Sequence, residues 1–76
     1  MSETMHTLDA SGLNCPLPIL RTKKALAPLD RGEILEVIST DPGSVKDLSS
    51  FCKETGHELL SSEAAEGKFV FQIRKA

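Results

Sequence analysis

From Lys68 to Arg74, Phe69, Phe71 and Ile73 alternate with Val70, Gln72 and Arg74. A period of two is that of a strand whose two faces meet different surroundings. Glu33 to Ser39 is richer still in β-branched and apolar residues and reads as a central strand. Met5 to Asp9 reads as a short first strand, and His57 to Ser62 as another, joined to the last around Glu66-Gly67. Between the strands the period lengthens. A helix is predicted from Pro16 to about Pro28, with proline favoured at its first position because the missing N–H would have had no partner there. A second is predicted from Asp41-Pro42 to about Thr55, with Asp41 capping its start, Pro42 in its first position and Gly56 stopping it.

The order is therefore βαβαββ. Packing two helices on one face of a four-stranded sheet gives a two-layer sandwich, an α/β (α+β) fold. The 76 residues suit a single domain spanning 1–76. A chain so short buries only roughly 60% of the surface its unfolded form exposes.

Placed on a helical wheel, the first helix is two-sided. Pro18, Ile19, Thr22, Ala25, Leu26 and Leu29 share a face suited to burial. Leu17, Leu20, Arg21, Lys23, Lys24 and Ala27 share the other, so two leucines lie among cations within about a turn of Cys15. An apolar pair beside a basic cluster and a candidate nucleophile suggests a surface where a partner docks. On the second helix Cys52 shares a side with Val45, Leu48 and Thr55 and is expected in the core.

Composition narrows the chemistry. A net charge of −2 argues against a general nucleic-acid binder, so no direct nucleic-acid contact is expected. Arg21, Lys23 and Lys24 nevertheless form a local basic patch fitted to one acidic partner or anion. Two cysteines, no Cys-x-x-Cys pair and two isolated histidines, His6 and His57, point to neither a disulfide framework nor a metal site. The polar start Met1-Ser2-Glu3-Thr4-Met5 is unlike a secretory leader, and nothing approaches a membrane span, so the cytoplasm is the expected compartment. Thiols stay reduced there.

Two readings of Cys15 stand side by side. Free cysteine most often behaves as a small buried apolar residue. At the start of a helix, though, the positive end of the dipole favours a thiolate, which raises reactivity. Pro16 and Pro18 donate no N–H, leaving mainly Leu17 and Ile19 to point at an anion, so their part would be to fix the turn and present the sulfur.

The stretch Leu8-Asp9-Ala10-Ser11-Gly12-Leu13-Asn14-Cys15-Pro16-Leu17-Pro18 resembles the signature of the TusA (SirA-like) sulfur-carrier family. The likeness continues through Gly32-Glu33, Asp41-Pro42, Phe51-Cys52 and His57-Glu58-Leu59 to Ile73-Arg74-Lys75. The resemblance implies a mixed sheet, similar to the C-terminal domain of translation initiation factor three. It further implies a persulfide on Cys15, with no metal or organic cofactor. The donor would be a cysteine desulfurase or a rhodanese, and the acceptor a protein of the DsrE/TusD type. Candidate site residues are then Cys15 for the exchange, Pro16 and Pro18 for the motif, and Leu17, Leu20, Arg21 and Lys24 for docking, in a chain expected to be monomeric when free. Two rival readings are a small RNA- or protein-binding module, favoured by the fold likeness and the basic helix, and a redox-active thiol protein, which would want a resolving cysteine near Cys15. The exchange chemistry does not choose among tRNA thiouridine synthesis, molybdenum-cofactor supply and dissimilatory sulfur oxidation.

Overall fold

The computed structural model describes residues 5–14 and 17–76. Six elements follow in the expected order: β1 (Met5–Ala10), α1 (Leu17–Leu26), β2 (Ile34–Ser39), α2 (Ser44–Thr55), β3 (Glu58–Ala65) and β4 (Lys68–Arg74). They form one four-stranded sheet in the order β1-β2-β4-β3. β1 runs parallel to β2, with Met5 opposite Ile34 and Ala10 opposite Ser39. β2 and β3 each pair antiparallel with β4, so the sheet is mixed.

The core lies between the helices and one sheet face. Leu35 and Val37 of β2, Phe71 and Ile73 of β4, Leu26 of α1, and Leu48 and Cys52 of α2 form one buried cluster. Their spacing explains the architecture: alternate positions on the two inner strands meet positions three or four apart on the helices. β3 and β4 are joined by a two-residue turn whose residues, Glu66 (φ 51°) and Gly67 (φ 79°), are both left-handed, as the twist of a tight hairpin requires. Around Leu60 the β3–β4 register shifts by one residue. This bulge leaves Leu60 exposed.

Four expectations need correction. The first helix ends at Leu26 rather than Pro28, since a proline has no N–H to continue the ladder and disfavours helical backbone before it, and Lys75 Nζ donates to the freed carbonyl oxygens of Leu26 (2.8 Å) and Ala27 (3.1 Å). The second helix begins at Ser44, with Gly43 and not Asp41 in the capping position. Asp41 instead builds the turn before it: Oδ1 accepts the Gly43 N–H at 3.2 Å, and the carbonyl oxygen accepts both the N–H (3.0 Å) and the hydroxyl (2.6 Å) of Ser44. The inner face of α2 is consequently turned. Ser44 is buried with Leu48 and Cys52, while Val45 (39% exposed) and Thr55 face outward. β3 also runs three residues past Ser62, to Ala65, because β4 pairs with it as far as the turn.

Candidate functional site

Both helices begin where the parallel strands β1 and β2 end. The stretch after β1, residues 11–14, turns sharply, and the amides of its first three residues are held. Ser11 N–H donates to Asp9 Oδ1 (3.0 Å), Gly12 N–H to Thr40 Oγ1 (2.9 Å) and Leu13 N–H to the Ala10 carbonyl (3.2 Å). Gly12 sits at φ 81°, a conformation open to glycine at little cost. Hydrogen bonds from Ser11 hold the Asp9 carboxyl below its ordinary range, with a smaller contribution from Lys68. Past the segment, Leu17 N–H donates to the Asn14 carbonyl at 2.8 Å. That amide is thus engaged with the backbone, which narrows the set of donors expected to face an anion.

Cys15 and Pro16 lie outside the described residues. Of the other candidates, Pro18 is fully buried under α1, and Thr22, one turn on, donates its buried hydroxyl to the Pro18 carbonyl at 2.7 Å. Leu17 and Leu20 are 44% and 54% exposed, large values for leucines on a helix of so small a protein. Arg21, Lys23 and Lys24 are exposed on the same helix. The wheel is therefore realised: Pro18, Thr22 and Leu26 face the core, with Ile19, Ala25 and Leu29 packed against it, and the leucine pair and cations face outward.

Cys52 is unlike a reactive thiol. It is 3% exposed in the core, and burial pushes its pKa up, so the thiolate is disfavoured. His57, the residue after the α2 stop, stacks at a tilt on Phe51 (ring centroids 5.7 Å apart), and its Nδ1 accepts the N–H of Ala76 at 3.0 Å. Burial, aided by Lys75, pushes its pKa down. Its ring is committed to packing the chain's last residues. No group of three or more metal-binding side chains occurs among the described residues, and no helix among them is long and apolar enough to cross a membrane.

The sequence pattern did not single out Thr40. Only the parallel pairing of β1 with β2, which sets Ala10 beside Ser39, brings its hydroxyl to Gly12.

The fold is a small α/β sandwich whose first helix, exposed leucines among cations, follows a tightly held loop. The comparisons name the family. The family model described as "Sulfurtransferase TusA" matches residues 6–75. A sulfur carrier protein TusA of Allochromatium vinosum is 57% identical over 76 residues, covering the whole of both chains. A protein of the same name from Pseudomonas entomophila is 43% identical, covering 99% of this chain and 96% of its own. The crystal structure of a SirA-like protein from Desulfitobacterium hafniense superposes with a TM-score of 0.80 at 30% identity, covering 93% of this chain and 96% of that one. The chain belongs to the TusA family of sulfurtransferases.

Proposed function

We propose that this protein is a sulfur carrier that holds transferable sulfur as a persulfide on Cys15. The observation that carries the reading is the Cys15-Pro16-Leu17-Pro18 motif, whose last two residues open α1, inside a family match that spans nearly the whole chain. In the first exchange the Cys15 thiolate attacks the outer sulfur of a donor persulfide. A new S–S bond forms at Cys15, the donor's S–S bond breaks, and the donor departs as a thiolate. In the second, an acceptor thiolate attacks the outer sulfur on Cys15, taking it and its proton and regenerating the Cys15 thiolate. Neither step has net oxidation, so the protein relays sulfur without a metal or organic cofactor.

The start of α1 favours the anionic form in both resting states. Leu17, Leu20, Arg21 and Lys24 form the rim that donor and acceptor recognise: exposed apolar area supplies affinity, and the cations favour partners with an acidic border. A donor of the cysteine desulfurase or rhodanese type and an acceptor of the DsrE/TusD type suit this chemistry, in a cytoplasm that keeps both thiols reduced. Cys52, buried and with a raised pKa, suits neither a second sulfur site nor a resolving role in a redox cycle.

The test is intact mass after incubation with a persulfide donor. The wild-type chain should gain the mass of one sulfur, mapped to Cys15, and Cys15→Ser should gain none. A gain retained in Cys15→Ser, or mapped to Cys52, overturns the assignment.

A further inference from the structure

The sheet has two edges, and they are finished differently. Along β1 the residues facing the helices, His6, Leu8 and Ala10, are half-buried or buried beneath α1. Along β3 the cover is incomplete. Ser62 and Ala64 stand opposite Phe71 and Phe69, so their side chains point to the helix side, and yet both are exposed. The helix layer stops short of this half of the strand.

The backbone there is open too. Ala65 and Lys68 flank the two-residue turn as a hydrogen-bonded pair, and such pairs alternate with non-bonded ones along an antiparallel ladder. Glu63 and Ser61 therefore bond to β4, while Ser62 and Ala64 turn their N–H and C=O groups outward. Natural edges are blunted by lysine, proline or a bulge. Residues 61–65 hold no lysine or proline, and the bulge lies before them, at Leu60. The side chains of Ser62 and Ala64 are too small to screen the outward groups.

Charge decides what fits this edge. β3 carries Glu58 and Glu63, the turn adds Glu66, and the strand has no cation. Glu58 is answered by Arg74 of β4 at 2.8 Å, whereas Glu63 stands opposite Val70. Two copies pairing antiparallel through both open residues would set Ser62 against Ala64 on each side. Glu63 would then lie directly against Glu63, a destabilising like-charge pair. An extended segment with lysine or arginine at that position gains where a second copy loses.

We infer that the second half of β3 is a binding edge that takes an extended basic segment of a partner protein as an added strand. The segment's backbone bonds to Ser62 and Ala64, and its lysine or arginine lies beside Glu63. α1 packs over β1 and β2, and β3 is the opposite edge, so a partner held here leaves the leucine–cation rim free. The inference does not depend on the sulfur-carrier reading.

The probe is a short fluorescent peptide of alternating valine and lysine, with a glutamate-for-lysine peptide as control. In anisotropy titrations with the full chain, the lysine peptide should bind saturably and the glutamate peptide should not. In the complex, the amide hydrogens of Ser62 and Ala64 should exchange more slowly, with those of β1 unchanged. Glu63→Lys should weaken the lysine peptide about fivefold, the scale of a cross-strand charge pair. Ala64→Pro removes an outward N–H without touching the β4 ladder, so the chain should stay folded and lose binding. If Ala64→Pro fails to fold, Glu63→Lys and the amide exchange still decide. No saturable binding, equal binding of the two peptides, full affinity in Glu63→Lys, or protection away from Ser62 and Ala64 overturns the inference. Dimerisation of the free chain through this edge would assign it to a second copy and overturn the basic partner.

Discussion

The two strand-to-helix connections at one end of the sheet serve different ends. After β2 the chain passes through Thr40-Asp41-Pro42-Gly43 into α2; after β1 it passes through Ser11-Gly12-Leu13-Asn14 and the Cys15-Pro16 pair into α1. Each has a proline next to its reactive or polar residue. At α2 the polar groups turn inward: Ser39 and Ser44 are buried, and both bond to Asp41. At α1 the residues after the turn look outward, with Leu17 and Leu20 exposed among cations. One connection closes the structure and the other presents a surface. Substitutions should follow that division: changes on the α2 side cost stability, and changes on the α1 side cost transfer.

The largest effect is expected inside α2. Leu48 is fully buried in the core cluster, and Leu48→Ala should lower the unfolding free energy by about 2–5 kcal/mol, measured by urea denaturation. Sulfur loading of the protein that remains folded should be unchanged. A loss of loading with folding intact would mean that α2 takes part in the chemistry and would break the division. On the α1 side, Leu20→Glu should raise KM for the acceptor about tenfold, the scale of a residue central to an interface, and leave the denaturation midpoint where it was. An unchanged KM would move the docking surface off this helix.

The smallest effect is acid sensitivity, to which only Asp9, through its bonds from Ser11, contributes from one of the two connections. His57, Glu33 and Asp9 all have pKa values below their ordinary ones of 6.5, 4.5 and 3.8. For His57 the chief cause is burial; for Glu33 it is the hydrogen bond from the Asp30 N–H, and for Asp9 the bonds from Ser11. In each case the unfolded chain binds the proton more readily than the folded one, so the native state is favoured as pH rises. The contribution of His57 is fully present above pH 6.5 and fades as pH falls through its lowered folded value. Those of Glu33 and Asp9 fade lower still. Thermal midpoints should decline steadily from pH 7 to pH 3, with the Asp9 step absent in Asp9→Asn; a flat profile would show these contacts to be without effect in solution.

Much of this was readable from residue order, for reasons particular residues make plain. In Lys68–Arg74 the alternation matched both ends of β4, since Phe71 and Ile73 have nowhere to go but the core. The α1 wheel held because its inner and outer sets differ sharply in polarity. The α2 wheel was turned because apolar counting assigns a serine to solvent. Ser44 can be buried because its hydroxyl and N–H both bond to the Asp41 carbonyl, and Val45 is displaced outward. The Gly12–Thr40 contact had no linear signal at all, as it depends on which strands pair. Cys15 and Pro16 were named from the motif and lie outside the described residues, so the assignment of the chemistry to Cys15 rests on sequence and family.

The place of β4 between β2 and β3 has a consequence for how the protein is made. It is the last of the four strands to leave the ribosome, yet it contributes Phe71 and Ile73 to the core and pairs along its length on both sides. Until it emerges, β2 lacks its antiparallel partner, β3 has no neighbour, and α2 packs on an incomplete floor. Lys75, just beyond it, adds the contacts that finish the end of α1. Folding must then wait for β4 and proceed as one late, long-range event rather than element by element.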